Sequence, residues 1–173
     1  MPEQMSKIRI MFVCLGNICR SPLAEAVFRA HVRQAGLEDA FEIQSSGTGS
    51  WHVGGPADAR MRRTATRFGV DLESHRAQQF IEDHLGEFDH IFVMDKNNLN
   101  DVLYLDRGDR YGNKVRLFRE FDPEPEDYQV PDPYYGGDGG FVKVYEIVDR
   151  TAKNLLRRLI EEYGLKEMAD AAR

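Results

Sequence analysis

Cys14 and Arg20 stand six positions apart near the start of the chain, and both side chains suit phosphoryl chemistry. A cysteine thiolate is a strong nucleophile, and the planar guanidinium of arginine can bind two phosphoryl oxygens at once. Ser21 and Pro22 follow directly, and they favour a helix start with Ser21 as the N-cap and Pro22 as the first helical residue. The spacing therefore indicates a nucleophile and an anion-binding group held by one loop.

The residues around this loop predict the elements that position it. The apolar run from Ile8 to Val13 suits a strand buried on both faces, and apolar residues recur at helical spacing from Leu23 until Gly36. Loop amides and the dipole of a following helix both favour negative charge. A lone cysteine is more often a buried structural residue, but this strand–loop–helix order predicts a cradle that stabilises the Cys14 thiolate and a bound anion.

The nine residues from Cys14 to Pro22, CLGNICRSP, resemble the phosphate-binding loop of the low-molecular-weight protein tyrosine phosphatase family. Further matches extend to the neighbourhood of Tyr163, so the resemblance covers most of the chain. It implies a phosphatase that acts on tyrosine-phosphorylated proteins or peptides, needs no metal and no cofactor, and releases inorganic phosphate. In this family the reaction passes through a phosphocysteine, which implies that Cys14 is the nucleophile and that Arg20 binds the phosphoryl group.

A second motif, Asp-Pro-Tyr-Tyr at residues 132–135, lies in an acidic segment from residue 120 to residue 138. This segment holds seven carboxylates, four prolines and no lysine or arginine, which predicts a surface loop. A leaving phenolate needs a proton, and a carboxylic acid can supply it. Spacing alone does not separate Asp132 from Asp122 or Asp127. The family resemblance implies that Asp132 is the general acid and base.

The resemblance also implies roles for residues around the loop. Residues expected to bind the substrate or its phosphate are Leu15, Gly16, Asn17, Ile18, Cys19, Trp51 and Tyr134. Residues expected to support the loop from behind are Ser21, Ser45, His75 and Tyr135. Cys19 is further expected to form a reversible disulfide with Cys14. Simpler readings stay open: Trp51 as a cover on the core edge, His75 as a surface histidine, and Cys19 as a small buried residue.

Strands and helices alternate along the rest of the chain, which predicts an α/β fold. The apolar patterns predict further strands at residues 41–45, 90–94 and 115–118, and helices at 56–68, after Asp95 and at 141–163. Residues 74–85 indicate a polar loop with room for a short helix. We expect a single three-layer domain over residues 1–173, with a four-stranded parallel sheet, helices on both faces, and flexible ends at 1–7 and 166–173. Binding sites in such sheets lie at the carboxyl ends of the strands. The loop after Val13, the loop of Trp51 and the acidic segment should therefore meet at one edge.

The composition is that of an ordinary globular protein, with 42% hydrophobic and 30% charged residues. A formal net charge of −6 argues against a general nucleic-acid surface. The two cysteines share one loop, and neither a signal peptide nor an apolar segment long enough for a bilayer is evident. We therefore expect a cytoplasmic protein without a membrane partner. The sequence leaves the oligomeric state open, and a monomer is compatible with it.

Three other functions remain as alternatives. Arsenate reductases on the same fold also carry Cys-x5-Arg, but thioredoxin-coupled forms need further cysteines, and none follows Cys19 here. Protein arginine phosphatases carry threonine where this loop has Ile18. A non-catalytic phosphate-binding module would be favoured by loss of the nucleophile, the arginine or the acid, and all three are present. A nucleotide-binding Walker loop is excluded because its pattern does not occur.

Overall fold

The computed structural model of the chain describes residues 6–134 and 136–166. Apart from residues 6, 7 and 166, the ends predicted to be flexible lie outside the described residues. The strands are β1 (Ile8–Cys14), β2 (Phe41–Gly47), β3 (His90–Val93) and β4 (Val115–Leu117). The α-helices are α1 (Arg20–Gln34), α2 (Ala59–Arg67), α3 (Glu82–Glu87), α4 (Lys96–Tyr104) and α5 (Asp138–Tyr163). Short 3-10 turns precede β2 and flank β4.

The four strands form one sheet in the order β2-β1-β3-β4, and every pair is parallel. β1 lies in the middle because its residues are apolar on both faces. Ile10 and Phe12 pack into one hydrophobic cluster, and Met11 and Val13 pack into the other. The central position of β1 places the loop that begins after Cys14 at the middle of the sheet edge.

Helices cover both faces of this sheet. The larger cluster packs buried residues of α1, α2 and α5 against one face, and the smaller cluster packs α3 and α4 against the other. The apolar side predicted for the last helix is buried over its whole length, including Val144, Val148 and Leu155 at 0% exposure. The predicted three-layer arrangement of a four-stranded parallel sheet with helices on both faces is therefore confirmed. Within the described residues no helix is long and apolar enough to cross a membrane.

Several predicted boundaries are wrong by a few residues. α1 begins at Arg20 with Cys19 as its N-cap, so Ser21 lies inside the helix and does not cap it. The Ser21 hydroxyl instead bonds with side chains of the loop, a use that local sequence does not reveal. β2 continues to Gly47 because it pairs with β1 up to Cys14. α5 begins at Asp138, three residues before Phe141, since the two intervening glycines give no helical signal.

Candidate active site

An open cleft of about 380 Å³ lies at the carboxyl edge of the sheet. Its walls are formed by Cys14, Leu15, Gly16, Ile18, Cys19, Arg20, Trp51, His52, Asp132 and Tyr134. Nine of these ten residues were predicted for the site, and His52 is the addition. As predicted, the loop after β1, the loop of Trp51 and the acidic segment meet there. Asn17, Ser21, Ser45 and His75 lie behind this wall, and Tyr135 lies outside the described residues.

The backbone of the loop after β1 is arranged to bind an anion. Several of its carbonyls are hydrogen-bonded to the surrounding protein. The carbonyls of Cys14 and Leu15 accept from the amides of Thr48 and Gly49, respectively. The Ile18 carbonyl accepts from the Asp58 amide. The amides of residues 15 to 19, in contrast, donate to no acceptor among the described residues. Unpaired amides next to the N-terminus of α1 bind negative charge favourably. The loop is therefore a preformed cradle for an anion.

Cys14 is buried at the base of this cradle, with 3% of its surface exposed. Its Sγ lies 2.9 Å from Oγ of Ser21. Asn17 donates from Nδ2 to the same Oγ at 2.8 Å, so the single hydroxyl hydrogen of Ser21 has two acceptors within reach, the Cys14 sulfur and the Ser46 carbonyl at 3.3 Å. Ser21 is therefore in direct contact with the Cys14 sulfur.

Asn17 connects the loop to the residues behind it. Its backbone has φ 57°, a left-handed conformation that asparagine tolerates better than most residues. Its Nδ2 also donates to Ser45 Oγ at 3.0 Å, and its backbone oxygen lies 2.8 Å from Nε2 of His75. Ser45 in turn donates to Glu25 at 2.6 Å, a contact that sequence reasoning missed. The structure thus brings Ser21, Ser45 and His75 together around Asn17, as expected of residues behind the loop, whereas Tyr135 lies outside the described residues.

Arg20 is almost completely buried, and its guanidinium is fixed from one side. Nη1 donates to Asp95 at 2.7 Å and to the carbonyl of Val130 at 3.0 Å. Burial alone would lower the pKa of Arg20, but the neighbouring Cys14 and Asp95 outweigh it and raise the pKa, so the group stays charged. Nε makes no hydrogen bond to any described residue. Arg20 is therefore held in one orientation with a donor left for an oxyanion.

The three aspartates that spacing could not separate lie in different environments. Asp122 is fully buried between Arg119 and Arg150, which makes it part of a structural ion cluster. Asp127 is mostly exposed and pairs with Arg119 at 3.4 Å. Asp132 lines the cleft, with Oδ2 3.5 Å from Nη2 of Arg20 and Oδ1 accepting from the Tyr134 amide at 3.0 Å. Only Asp132 of these three faces the cleft, so its carboxylate is the one able to exchange a proton there.

Two aromatic side chains form the mouth of the cleft. Trp51 is 72% exposed, so it does not cover the core edge. Its indole lies on Gly49, where any added Cβ would come within 1.8 Å of the ring. Glycine at this position therefore allows the tryptophan to fold back over the loop. Tyr134 lies on the other wall, with its ring 6.5 Å from that of His52. The mouth suits a flat apolar ring.

Cys19 is the second thiol of the loop, buried with 4% exposure and not bonded to Cys14. Burial raises the pKa of this thiol well above its usual range, and the charges of Asp58, Cys14 and Asp132 add to the effect. Cys19 is therefore a neutral thiol in the same loop as Cys14. Among the described residues no group of three or more histidine, cysteine or acidic side chains could hold a metal ion.

Comparisons of the sequence and of the fold with known proteins point to one family. The family model of the low molecular weight phosphotyrosine protein phosphatases matches residues 9–166. A low molecular weight protein-tyrosine-phosphatase of Streptomyces coelicolor is 43% identical over 156 residues, which cover 89% of this chain and 94% of that protein. A low molecular weight phosphotyrosine protein phosphatase of Schizosaccharomyces pombe is 43% identical over 155 residues, which cover 88% of this chain and 97% of that protein. A solved protein tyrosine phosphatase of Entamoeba histolytica superposes with a TM-score of 0.86 at 36% identity, covering 92% of this chain and 100% of that one.

Proposed function

Because the chain belongs to the low molecular weight phosphotyrosine protein phosphatase family, we propose that it hydrolyses phosphotyrosine through a phosphocysteine on Cys14. The observation that carries the proposal is the meeting of three groups in one cleft. Cys14 lies beneath unpaired loop amides, Arg20 is locked beside it, and Asp132 faces both. The proposed substrates are tyrosine-phosphorylated proteins or peptides, and the products are the free tyrosine side chain and inorganic phosphate.

In the first step the Cys14 thiolate attacks phosphorus while the bond from phosphorus to the phenolic oxygen breaks. Arg20 and the amides of the loop hold the equatorial oxygens, where negative charge is spread in the transition state. Asp132 donates its proton to the leaving oxygen, a contribution of about 10²–10⁴-fold for a well-placed acid. The products of this step are tyrosine and a phosphocysteine.

In the second step water attacks the phosphocysteine, and the carboxylate of Asp132 accepts a proton from that water. The bond from sulfur to phosphorus breaks, inorganic phosphate leaves, and Cys14 returns to the thiolate. The hydroxyl of Ser21, 2.9 Å from Sγ, donates to the sulfur as its negative charge develops. The chain's own groups thus supply the nucleophile, the proton transfers and the charge stabilisation.

A direct test measures phosphate release from an aryl phosphate and from a phosphotyrosyl peptide, with EDTA present throughout. The proposal predicts turnover of both substrates at rates that EDTA does not change. Absence of turnover at neutral pH with reduced thiols would contradict it. Arsenate reduction with glutathione and thioredoxin systems, measured in parallel, should stay at background.

Ile18→Thr is expected to move substrate preference from phosphotyrosine towards phosphoarginine. Ile18 is half-buried and lines the cleft, so it offers apolar surface to an aryl ring and no acceptor to a guanidinium. Each buried donor left unpaired costs about 1–3 kcal/mol, or roughly tenfold to a hundredfold in discrimination. Because the carbonyl of Ile18, not its side chain, binds Asp58, the loop backbone should survive the change.

The measurement is kcat/KM for phosphotyrosine, phosphoarginine, phosphoserine and phosphothreonine with the wild type and the variant. The wild type should prefer phosphotyrosine over the other three, because the shorter phosphoserine and phosphothreonine cannot carry phosphate past Trp51 and Tyr134. Ile18→Val, which removes one methylene without adding a hydroxyl, serves as the control and should keep the preference. A wild-type preference for phosphoarginine would overturn the tyrosine assignment.

Mild peroxide is expected to inactivate the enzyme reversibly. Peroxide oxidises the Cys14 thiolate to a sulfenic acid, and the Cys19 sulfur then attacks it, forming a disulfide and releasing water. An added thiol reduces the disulfide and restores activity. Because the pKa of Cys19 is raised, the closing step should become faster as pH rises and more Cys19 ionises.

The variant Cys19→Ser should show slower or incomplete recovery after the same exposure, because Cys14 then proceeds to sulfinic acid. Mass spectrometry of the oxidised wild type should find the loop peptide lighter by two hydrogens. If the oxidised protein lacks that species while activity still returns with thiol, the disulfide step is wrong.

A further inference from the structure

The start of α2 lies between the loop of Cys14 and the acidic segment, and it contacts both. The Asp58 amide donates to the Ile18 carbonyl at 2.8 Å, which attaches the helix start to the phosphate cradle. The Asp58 side chain caps the helix by accepting from the amides of Arg60 and Met61. This end of α2 is therefore fixed relative to Cys14.

Arg60 extends from this fixed point to the acidic segment. Its Nη2 donates to the carbonyl of Tyr134 at 2.9 Å. Its guanidinium carbon lies 5.4 Å from the ring centroid of Tyr134 and 4.7 Å from that of Phe141, within the range of cation–π attraction. Arg60 thus contacts the residue two positions after Asp132 and the first turn of α5.

Asp58 holds the guanidinium in the orientation that these contacts need. Nε and Nη2 of Arg60 lie 3.3 Å from Oδ1 and 3.1 Å from Oδ2 of Asp58, which makes the pair bidentate. The Asp58 side chain is 11% exposed and that of Arg60 is 31% exposed, so the pair is partly shielded from solvent. A planar guanidinium held at two points retains less conformational freedom than a lysine side chain would at this position.

The acidic segment needs such a contact because Asp132 does not lie on a helix or strand. The described residues from 122 to 137 form no helix or strand. The Asp132 carboxylate is oriented by the Tyr134 amide, and the Tyr134 carbonyl is held by Arg60. Arg60 therefore links α2 to the Asp132 carboxylate through Tyr134, while Arg20 contacts that carboxylate from the cleft side at 3.5 Å.

We propose that Arg60 is a positioning residue for the general acid: it joins the loop of Cys14 to the segment of Asp132 and sets the distance between nucleophile and acid. This inference rests on the proposed function. A displacement of about 1 Å in a catalytic group can cost about a hundredfold in rate. Without Arg60 the nucleophile and Arg20 keep their places, while Asp132 loses its alignment.

The experiment compares Arg60→Ala and Arg60→Lys with Arg63→Ala across a series of aryl phosphates of increasing leaving-group pKa. Arg63 lies on the same helix and is exposed, and its side chain makes no hydrogen bond or ion pair with a described residue, so Arg63→Ala removes the same charge without removing a contact. We expect Arg60→Ala to lower kcat about tenfold to a hundredfold for phenols that leave poorly, and little for those that leave well. Arg60→Lys should show the same trend with a smaller loss, and Arg63→Ala should match the wild type.

The double variant Arg60→Ala/Asp132→Ala separates positioning from general loss of structure. If Arg60 acts through Asp132, the double variant should be little slower than Asp132→Ala, because effects of residues in one unit are not additive. Equal losses across all leaving groups, or additive losses in the double variant, would overturn the inference even if the wild type is an active phosphatase. An inactive wild type would instead contradict the proposed function.

Discussion

Cys14→Ser is expected to abolish phosphatase activity, with kcat lowered by about 10⁴-fold or more, while the fold and phosphate binding survive. A serine hydroxyl is not ionised near neutral pH, so the cradle would hold substrate without a nucleophile to attack it. The unpaired amides of residues 15–19 and the locked Arg20 remain in the variant. They should still bind phosphate or a phosphotyrosyl peptide.

The measurement combines turnover of an aryl phosphate with calorimetric binding of a phosphotyrosyl peptide and a thermal melt. Cys19→Ser is the matched control, because it removes a buried thiol from the same loop and should retain turnover under reducing conditions. Activity of Cys14→Ser comparable to the wild type would exclude the covalent mechanism.

Asp132→Ala is expected to slow the reaction by about 10²–10⁴-fold, in a manner that depends on the leaving group. Phenols that leave well without a proton should lose least, and phenols of high pKa should lose most. The measurement is kcat against leaving-group pKa for the wild type and the variant. Equal losses over the whole series would rule out Asp132 as the general acid.

Two other aspartates provide controls for this series. Asp127→Ala should have little effect, because Asp127 is 64% exposed and its pair with Arg119 is long at 3.4 Å. Asp122→Ala should act on stability, because it removes the buried partner of Arg119 and Arg150; the cost is about 3–5 kcal/mol of unfolding free energy. Neither variant should change the dependence on leaving-group pKa.

The sheet and its helices were predictable because their signals are local. The two-sided apolar run of β1 indicated a central strand, and the spacing of Val144, Val148 and Leu155 indicated the buried side of α5. The predicted ends of helices and strands were less accurate where a contact between residues distant in sequence determines them. β2 is longer than predicted because it pairs with β1, and Ser21 does not cap α1 because its hydroxyl bonds with Cys14 and Asn17.

The residues proposed to react, and the polar residues behind their loop, could be named from the loop pattern and the family resemblance, whereas several charged residues that hold them could not. Asp95 fixes Arg20 from the far end of β3, 75 residues along the chain. Glu25 reaches Ser45 across 20 residues, and Arg60 reaches Tyr134 across 74. Neither the residue type nor the local sequence marks any of these three charged residues as part of the site. Their roles arise from the packing of distant segments, which a single sequence does not show.

The most direct test of the account is to trap the phosphoenzyme. Wild type mixed with an aryl phosphate is denatured in detergent within the first turnover, and its peptides are analysed by mass spectrometry. If the reaction passes through a phosphocysteine, the peptide containing Cys14 should gain the mass of a single phosphoryl group, and Cys14→Ser should gain none there. Phosphate on another residue, or turnover without any phosphorylated peptide, would contradict a covalent mechanism on Cys14.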